Sequence, residues 1–173
     1  MPPLTNEQIM IGRAKNALLS FFEQRLSVPK IYLDADWQGE KVDVLAIDRA
    51  GVGDVSVAIL REASELTDDV LIQKLHSLPA HFKYLVTIPQ TASDWDIAER
   101  SRVWDTLSRF PPLFAEDGVG RIGYILVDFK SERPSITVPI SAERFRSKQN
   151  IYDLADAFAS SHTADFEVRE ISW

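Results

Sequence analysis

One carboxylate stands out for its setting. Asp43 lies inside Lys41-Val42-Asp43-Val44-Leu45-Ala46-Ile47, an otherwise apolar run with the composition of a buried strand. A turn with Gly51 and Gly53 follows, and then a second apolar run, Val55 to Arg61, ending against Glu62. An acid on one strand, facing a second acid and a lysine on the next, is a set that can hold Mg²⁺ against a phosphodiester and activate water. On the second run Ile59 and Arg61 stand two residues apart and so share one face of the strand. Isoleucine offers no oxygen to a cation that wants near-octahedral oxygen ligands. Arginine can hold a phosphate but stays protonated and cannot act as a base.

Glu62 and Glu65 follow at once and are the candidates for an acid that has migrated along the chain. Alternation of side chains along a strand points Glu62 away from Ile59 and Arg61, unless a bulge re-aims it. The plain alternative is that Asp43 is a structural acid. A carboxylate in an apolar strand needs a partner, and Arg61 or Lys41 are the nearest in sequence.

Other patterns carry less chemistry. The run Gly118-Val119-Gly120-Arg121-Ile122-Gly123 spells the G-x-G-x-x-G string of dinucleotide-binding loops. It follows Pro111-Pro112 and leads into an apolar strand instead of opening a helix, so turn chemistry is the better reading. His76, His81 and His162 form no pair at metal-ligand spacing and read as surface or partly buried residues. Arg144, Arg146 and Lys148 surround Phe145 in a small basic cluster, readable as a solvated helix face or as a contact for phosphate or an acidic partner. Trp95 and Trp104 are nine residues apart on an expected helix, so they point about 180° apart and cannot both face the core. Trp95 is therefore a candidate partner contact, and a terminal strand ending at Trp173 is a candidate edge for pairing with another chain.

The elements that must position these residues are legible from periodicity and breakers. Thr5 and Gln8 have capping-box spacing, and apolar residues recur from Ile9 to Leu26, giving a first helix halted by Pro29. Strands are expected over 30–37, 41–48 and 55–61, with turns at Gln38-Gly39 and 49–54. A second helix starts at Thr67 and ends at Pro79, a fourth strand spans 83–88, and a third helix starts at Ser93. Strands over 124–129 and 135–138, a helix over 141–160 with a break near Asn150, and a strand over 166–171 complete the chain. The class is α/β with a mixed β-sheet flanked by helices.

The 173 residues fit one domain, and the apolar fraction of 45% is that of a folded globular chain. No apolar run reaches a membrane-spanning length, and the chain start lacks the pattern of a secretory signal. The absence of cysteine excludes disulfides, thiolate zinc sites and a thiol nucleophile, and fits a cytoplasmic protein. A net charge of -7 disfavours non-specific nucleic-acid binding and leaves room only for a local basic groove.

The order helix, three strands, helix, strand, with Asp43 in its apolar strand, resembles the restriction-endonuclease-like superfamily with its PD-(D/E)XK motif. The resemblance covers about residues 5–90 and implies an αβββαβ core, to which 91–173 would be C-terminal additions. It places Asp43 at the first motif acid, Ile59 and Arg61 at the second acid and lysine, and Gln73 at a glutamine many members carry on the next helix. Glu7 or Glu23 would stand for an acid that some members supply from the first helix. With two motif positions lost, the resemblance implies a catalytically degenerate member without a bound metal. Such a member would act as a binding or scaffolding module for a protein partner, a second copy of itself or nucleic acid. The alternatives are an Mg²⁺-dependent nuclease using Asp43 with Glu62 or Glu65, and an unrelated immunity or regulatory interaction protein.

Overall fold

The computed structural model describes residues 3–48, 53–61, 69–88, 120–129, 133–147 and 149–167. The first helix, α1 (Asn6–Arg25), begins where expected. Gln8 N–H donates to Thr5 Oγ1 at 3.2 Å and Thr5 N–H to Gln8 Oε1 at 2.9 Å, so two backbone donors at the helix start are satisfied reciprocally. Ala14, Leu18 and Phe22 recur every four residues along the buried stripe of α1. Pro29 opens strand β1 (Pro29–Trp37). Gln38 and Gly39, both at positive φ (53° and 85°), turn the chain into β2 (Glu40–Asp48).

Strand β3 (Val55–Arg61) pairs antiparallel with β2. Helix α2 (Asp69–Ser77) then crosses to β4 (Phe82–Thr87), which lies parallel to β3. Strand β5 (Gly123–Asp128) adds parallel to β4, and β6 (Ser135–Ile140) antiparallel to β5. After helix α3 (Ile151–Ser161), the short β7 (Phe166–Glu167) pairs antiparallel with β1. The sheet order is β6-β5-β4-β3-β2-β1-β7, a mixed seven-stranded sheet. This is the α/β class that the alternation of elements implied.

Two cores lie on the two faces. One holds Val57, Ile59 and Leu85 from the strands with Leu71, Ile72 and Leu75 of α2 and Ala155 and Phe158 of α3. The other packs Ala14, Leu18 and Phe22 of α1 against Val44, Ala46, Ala58, Leu60 and Val86. Central strands buried on both faces explain why β2 and β3 read as continuous apolar runs.

The region after β6 departs from expectation. Residues 141–147 are not helical, and the helix starts only at Ile151, capped by Asn150 accepting from Asp153 N–H. Tertiary contacts hold the preceding segment extended. Glu143 bridges Arg121, and Phe145, buried, donates its N–H to His81 O at 2.8 Å. Gly120, at φ +109°, could not carry a Cβ, which would stand 2.7 Å from Phe145 Cγ. Gly123 is equally closed, with Ala142 N 2.7 Å from any Cβ. These two glycines of the G-x-G-x-x-G string therefore serve close packing. Gly118 and the expected third helix with Trp95 and Trp104 lie outside the described residues, as does Trp173.

Candidate functional site

Asp43 sits where β2 and β3 part. Their paired register runs from Ile47↔Val55 to Val44↔Ala58 and stops there. The next inward amide, Leu60 N–H, donates to Asp43 Oδ2 at 2.7 Å, so the carboxylate replaces a ladder partner that the diverging strand no longer offers. A charge-assisted bond of this kind is among the stronger hydrogen bonds a protein makes.

Two cations complete the surroundings. Lys15, reaching down from α1, has its ammonium 3.8 Å from Asp43 Oδ1 and 2.5 Å from Asp34 Oδ1. Arg61 Nη1 lies 4.0 Å from Asp43 Oδ2 and donates to Leu60 O at 2.7 Å. Asp34 is held at φ +53° in the middle of β1, a left-handed conformation that aspartate tolerates better than most residues. Past this point β1 changes face: Ile31 belongs to the core under α1, whereas Ala35 and Trp37 belong to the opposite one. The local twist thus brings a second carboxylate to Lys15. The side chains of Lys15 and Asp43 are 16% and 20% exposed, so the pair is largely withdrawn from water and only weakly screened by salt.

This set does not fit Mg²⁺. The ion needs several oxygens around a vacant centre. Here an ammonium occupies the space between Asp34 and Asp43, and a guanidinium flanks it. Ile59 is buried in the core under α2 and α3, away from Lys15, and its neighbours Ala58 and Leu60, which face α1, have no side-chain oxygen either. Among the described residues no three His, Asp or Glu side chains gather at metal-binding spacing. Glu62 and Glu65 lie outside the described residues. Glu23 is exposed on α1, eight residues beyond Lys15, about 12 Å along the helix axis. The side chain of Glu7 is outside the description.

The remaining sequence candidates divide. Arg61 does meet Asp43, and Lys41, the other suggested partner, is exposed instead; Lys15 takes that role. Gln73 is exposed on α2 and lines a groove with Gln38, Glu40, Lys74 and Gln149 that contains neither Asp43 nor Arg61. Arg144 is not on a helix face. Its guanidinium holds Asp54 at 3.1 Å and donates to Tyr152 Oη at 3.2 Å, tying the β3 entrance to α3. Arg146 is exposed, and Lys148 lies outside the described residues.

Two further titratable groups are buried, of which Lys83 was not singled out from the sequence. His81, read as a surface or partly buried residue, is 5% exposed, and its Nδ1 accepts Val55 N–H at 2.9 Å. Burial pushes its pKa below the usual imidazole range, Asp54 pulling it back and Arg144 lowering it further. Lys83, 2% exposed, donates to His76 O at 2.7 Å and stands 4.2 Å above the Phe145 ring. Burial lowers its pKa from 10.5 to about 8. Its place in the apolar run Phe82-Lys83-Tyr84-Leu85-Val86 was the available signal. Lys15 had a similar one, standing beside the buried stripe of α1.

No family model matches the sequence, and no curated protein does. Among solved structures, the chain is similar to a protein of unknown function from Silicibacter pomeroyi, with a TM-score of 0.51 and 11% identity. The match covers 93% of this chain and 88% of the other. At that identity the likeness concerns the fold alone. Among the described residues no helix is long and apolar enough to cross a membrane.

Proposed function

We propose that this chain is a binding or scaffolding module on a nuclease-like frame, catalytically degenerate, with a protein as its partner. The observation that carries the reading is the internal neutralisation of Asp43. Lys15, Arg61 and the Leu60 amide engage the carboxylate that a nuclease would offer to a metal. The order α1-β1-β2-β3-α2-β4, with β3 and β4 parallel, supports the frame. The separation of Gln73 from Asp43 favours a second reading, an interaction protein unrelated to nucleases. Both readings assign binding and no cutting.

The test is a cleavage assay with linear, branched and single-stranded DNA and with RNA, in Mg²⁺ and in Mn²⁺. The expected result is no metal-dependent product from any substrate. Cutting that disappears in Asp43→Ala would overturn both readings in favour of a nuclease using Asp43 with Glu62 or Glu65.

A further inference from the structure

Of the three histidines, His81 is the one buried, and three parts of the fold meet at it. It stands between α2 and β4, just before Phe82. It clamps Val55, the first residue of β3, with two bonds. His81 N–H donates to Val55 O at 2.8 Å, and Val55 N–H donates to His81 Nδ1 at 2.9 Å. The His81 carbonyl accepts Phe145 N–H at 2.8 Å. The ring lies against that of Tyr152 in the first turn of α3, with centroids 5.2 Å apart and planes tilted by 36°. One residue therefore joins the entrance of β3, the segment after β6 and the start of α3.

The ring serves as an acceptor only while neutral. An imidazole whose Nδ1 accepts carries its proton on Nε2, and a second proton makes both nitrogens donors. Val55 is fully buried, so its N–H would then face another donor with no water to turn to. Among the described residues, the charges that act on the ring are those of Asp54 and Arg144. Asp54 Oδ1, 3.7 Å from Nδ1, is the anion nearest to an imidazolium formed there. The same oxygen already accepts from Arg144 Nε at 3.2 Å and Nη2 at 3.1 Å, and Nη2 also donates to Tyr152 Oη at 3.2 Å. A ring that leaves Val55 for Asp54 thus competes with the guanidinium that ties β3 to α3. Lys83 and His76 stand one contact further out, 4.2 Å and 5.7 Å from the Phe145 ring centroid. The chain before Arg144 is fastened separately. Glu143 and Arg121 exchange both backbone bonds, and the Arg121 guanidinium donates to Ser141 O.

We propose that His81 is a proton-operated latch: neutral, it fastens Arg144, Phe145 and the first turn of α3 to the entrance of β3, and protonation releases them while the sheet stays folded. The central strands β2 and β3 are buried on both faces and persist without the latch. Release uncovers Phe145 and Ile151, both buried in the closed form, and so presents apolar surface at mildly acidic pH. The direction follows from linkage. Burial lowers the pKa of the closed ring, Asp54 pulling it back and Arg144 lowering it further, so the open form takes up a proton more readily. The closed form therefore weakens as pH falls below the ordinary imidazole value of about 6.5. The latch goes beyond the binding-module reading and is independent of whether the chain cuts nucleic acid.

The experiment is amide hydrogen exchange of the full chain, read residue by residue by nuclear magnetic resonance at pH 7.0 and 5.5 and corrected for intrinsic exchange rates. A ring that titrates near 6.5 when open and stays unprotonated while closed raises the opening equilibrium by up to about eightfold over that step. Protection of the Val55 and Phe145 amides should therefore fall by more than twofold and up to about eightfold. Protection of Glu143, Leu45 and Leu85 should stay within twofold. H76N/H162N, which leaves His81 as the sole histidine, should keep the whole response. H81L, which neither accepts nor titrates, should show low protection at Val55 and Phe145 at both pH values. Where H81L does not fold, titration of wild type with ¹³C-labelled histidine replaces it, and the His81 ring and the Val55 amide should shift with one midpoint. A change of twofold or less at Val55 and Phe145, an equal fall at Leu45 and Leu85, or a response lost in H76N/H162N would overturn the latch. So would a response kept in H81L, or separate midpoints in the titration.

Discussion

Replacing Lys83 by methionine should stabilise the protein at neutral pH, and the gain should shrink as pH rises. Lys83 is 2% exposed, and burial holds its pKa at about 8 where 10.5 is usual. The charged form is therefore favoured in the unfolded chain. Between pH 8 and 10.5 the unfolded state binds more protons, so stability rises with pH. At about 1.4 kcal/mol per pH unit, carrying the charge in the folded state costs roughly 3 kcal/mol at pH 7. Between pH 8 and 9.5 the recovery should be roughly 1.5 kcal/mol. Tyr32, Tyr84 and Tyr124 have pKa values raised by burial, Tyr124 to about 12, so any stability they lose on ionising appears only above this window. Methionine fills a similar space without charge, but it leaves His76 O without its donor, which returns about 1 kcal/mol. The expected net gain at pH 7 is about 1–2 kcal/mol. Urea unfolding at pH 7, 8 and 9.5, followed by far-ultraviolet circular dichroism, measures all of this. A wild-type stability that is flat or falling from pH 8 to 9.5, or a K83M protein destabilised at pH 7, would refute the reasoning.

Three further outcomes follow from the same packing. Lys15→Met should destabilise by about 1–2 kcal/mol, because Asp34 and Asp43 would then face each other without a shared cation; urea midpoints of K15M, D34N/K15M and wild type measure it, and the double variant should recover part of the loss. His81 has a lowered pKa and accepts Val55 N–H as a neutral ring. Its contribution is therefore complete above the unfolded value of about 6.5 and is lost as pH falls below it. Melting temperatures of wild type and His81→Asn between pH 7 and 5 should converge if this holds. Gly120→Ala forces a side chain into Phe145 at a positive φ and should cost at least about 2 kcal/mol, visible as a lowered urea midpoint.

The parts of the fold that were legible are those fixed by local chemistry. The Thr5–Gln8 capping box, the Gln38-Gly39 turn and the doubly buried β2 and β3 all follow from short-range pattern. The segment over 141–147 was misread as helix because its conformation is imposed from a distance, by Arg121, His81 and Gly120 meeting Glu143 and Phe145. Local propensity carries no trace of such contacts. At the candidate site, Asp43 and Arg61 were found because strand patterning puts them on adjacent strands of one hairpin. Lys15 and Asp34 were missed because a helix-to-strand approach and a left-handed residue inside a strand leave no periodic signature. Gln73 was grouped with Asp43 through resemblance alone, and the crossing of α2 over the other face separates them.

The most direct measurement of the central claim is a Mn²⁺ titration of the full chain, read by calorimetry and by electron paramagnetic resonance of the free ion, alongside Asp43→Asn and Lys15→Met. With Asp43 neutralised from within, wild type should leave essentially all Mn²⁺ free at millimolar concentration, as should D43N. A stoichiometric site in wild type that D43N weakens would contradict the account and make Asp43 a metal ligand.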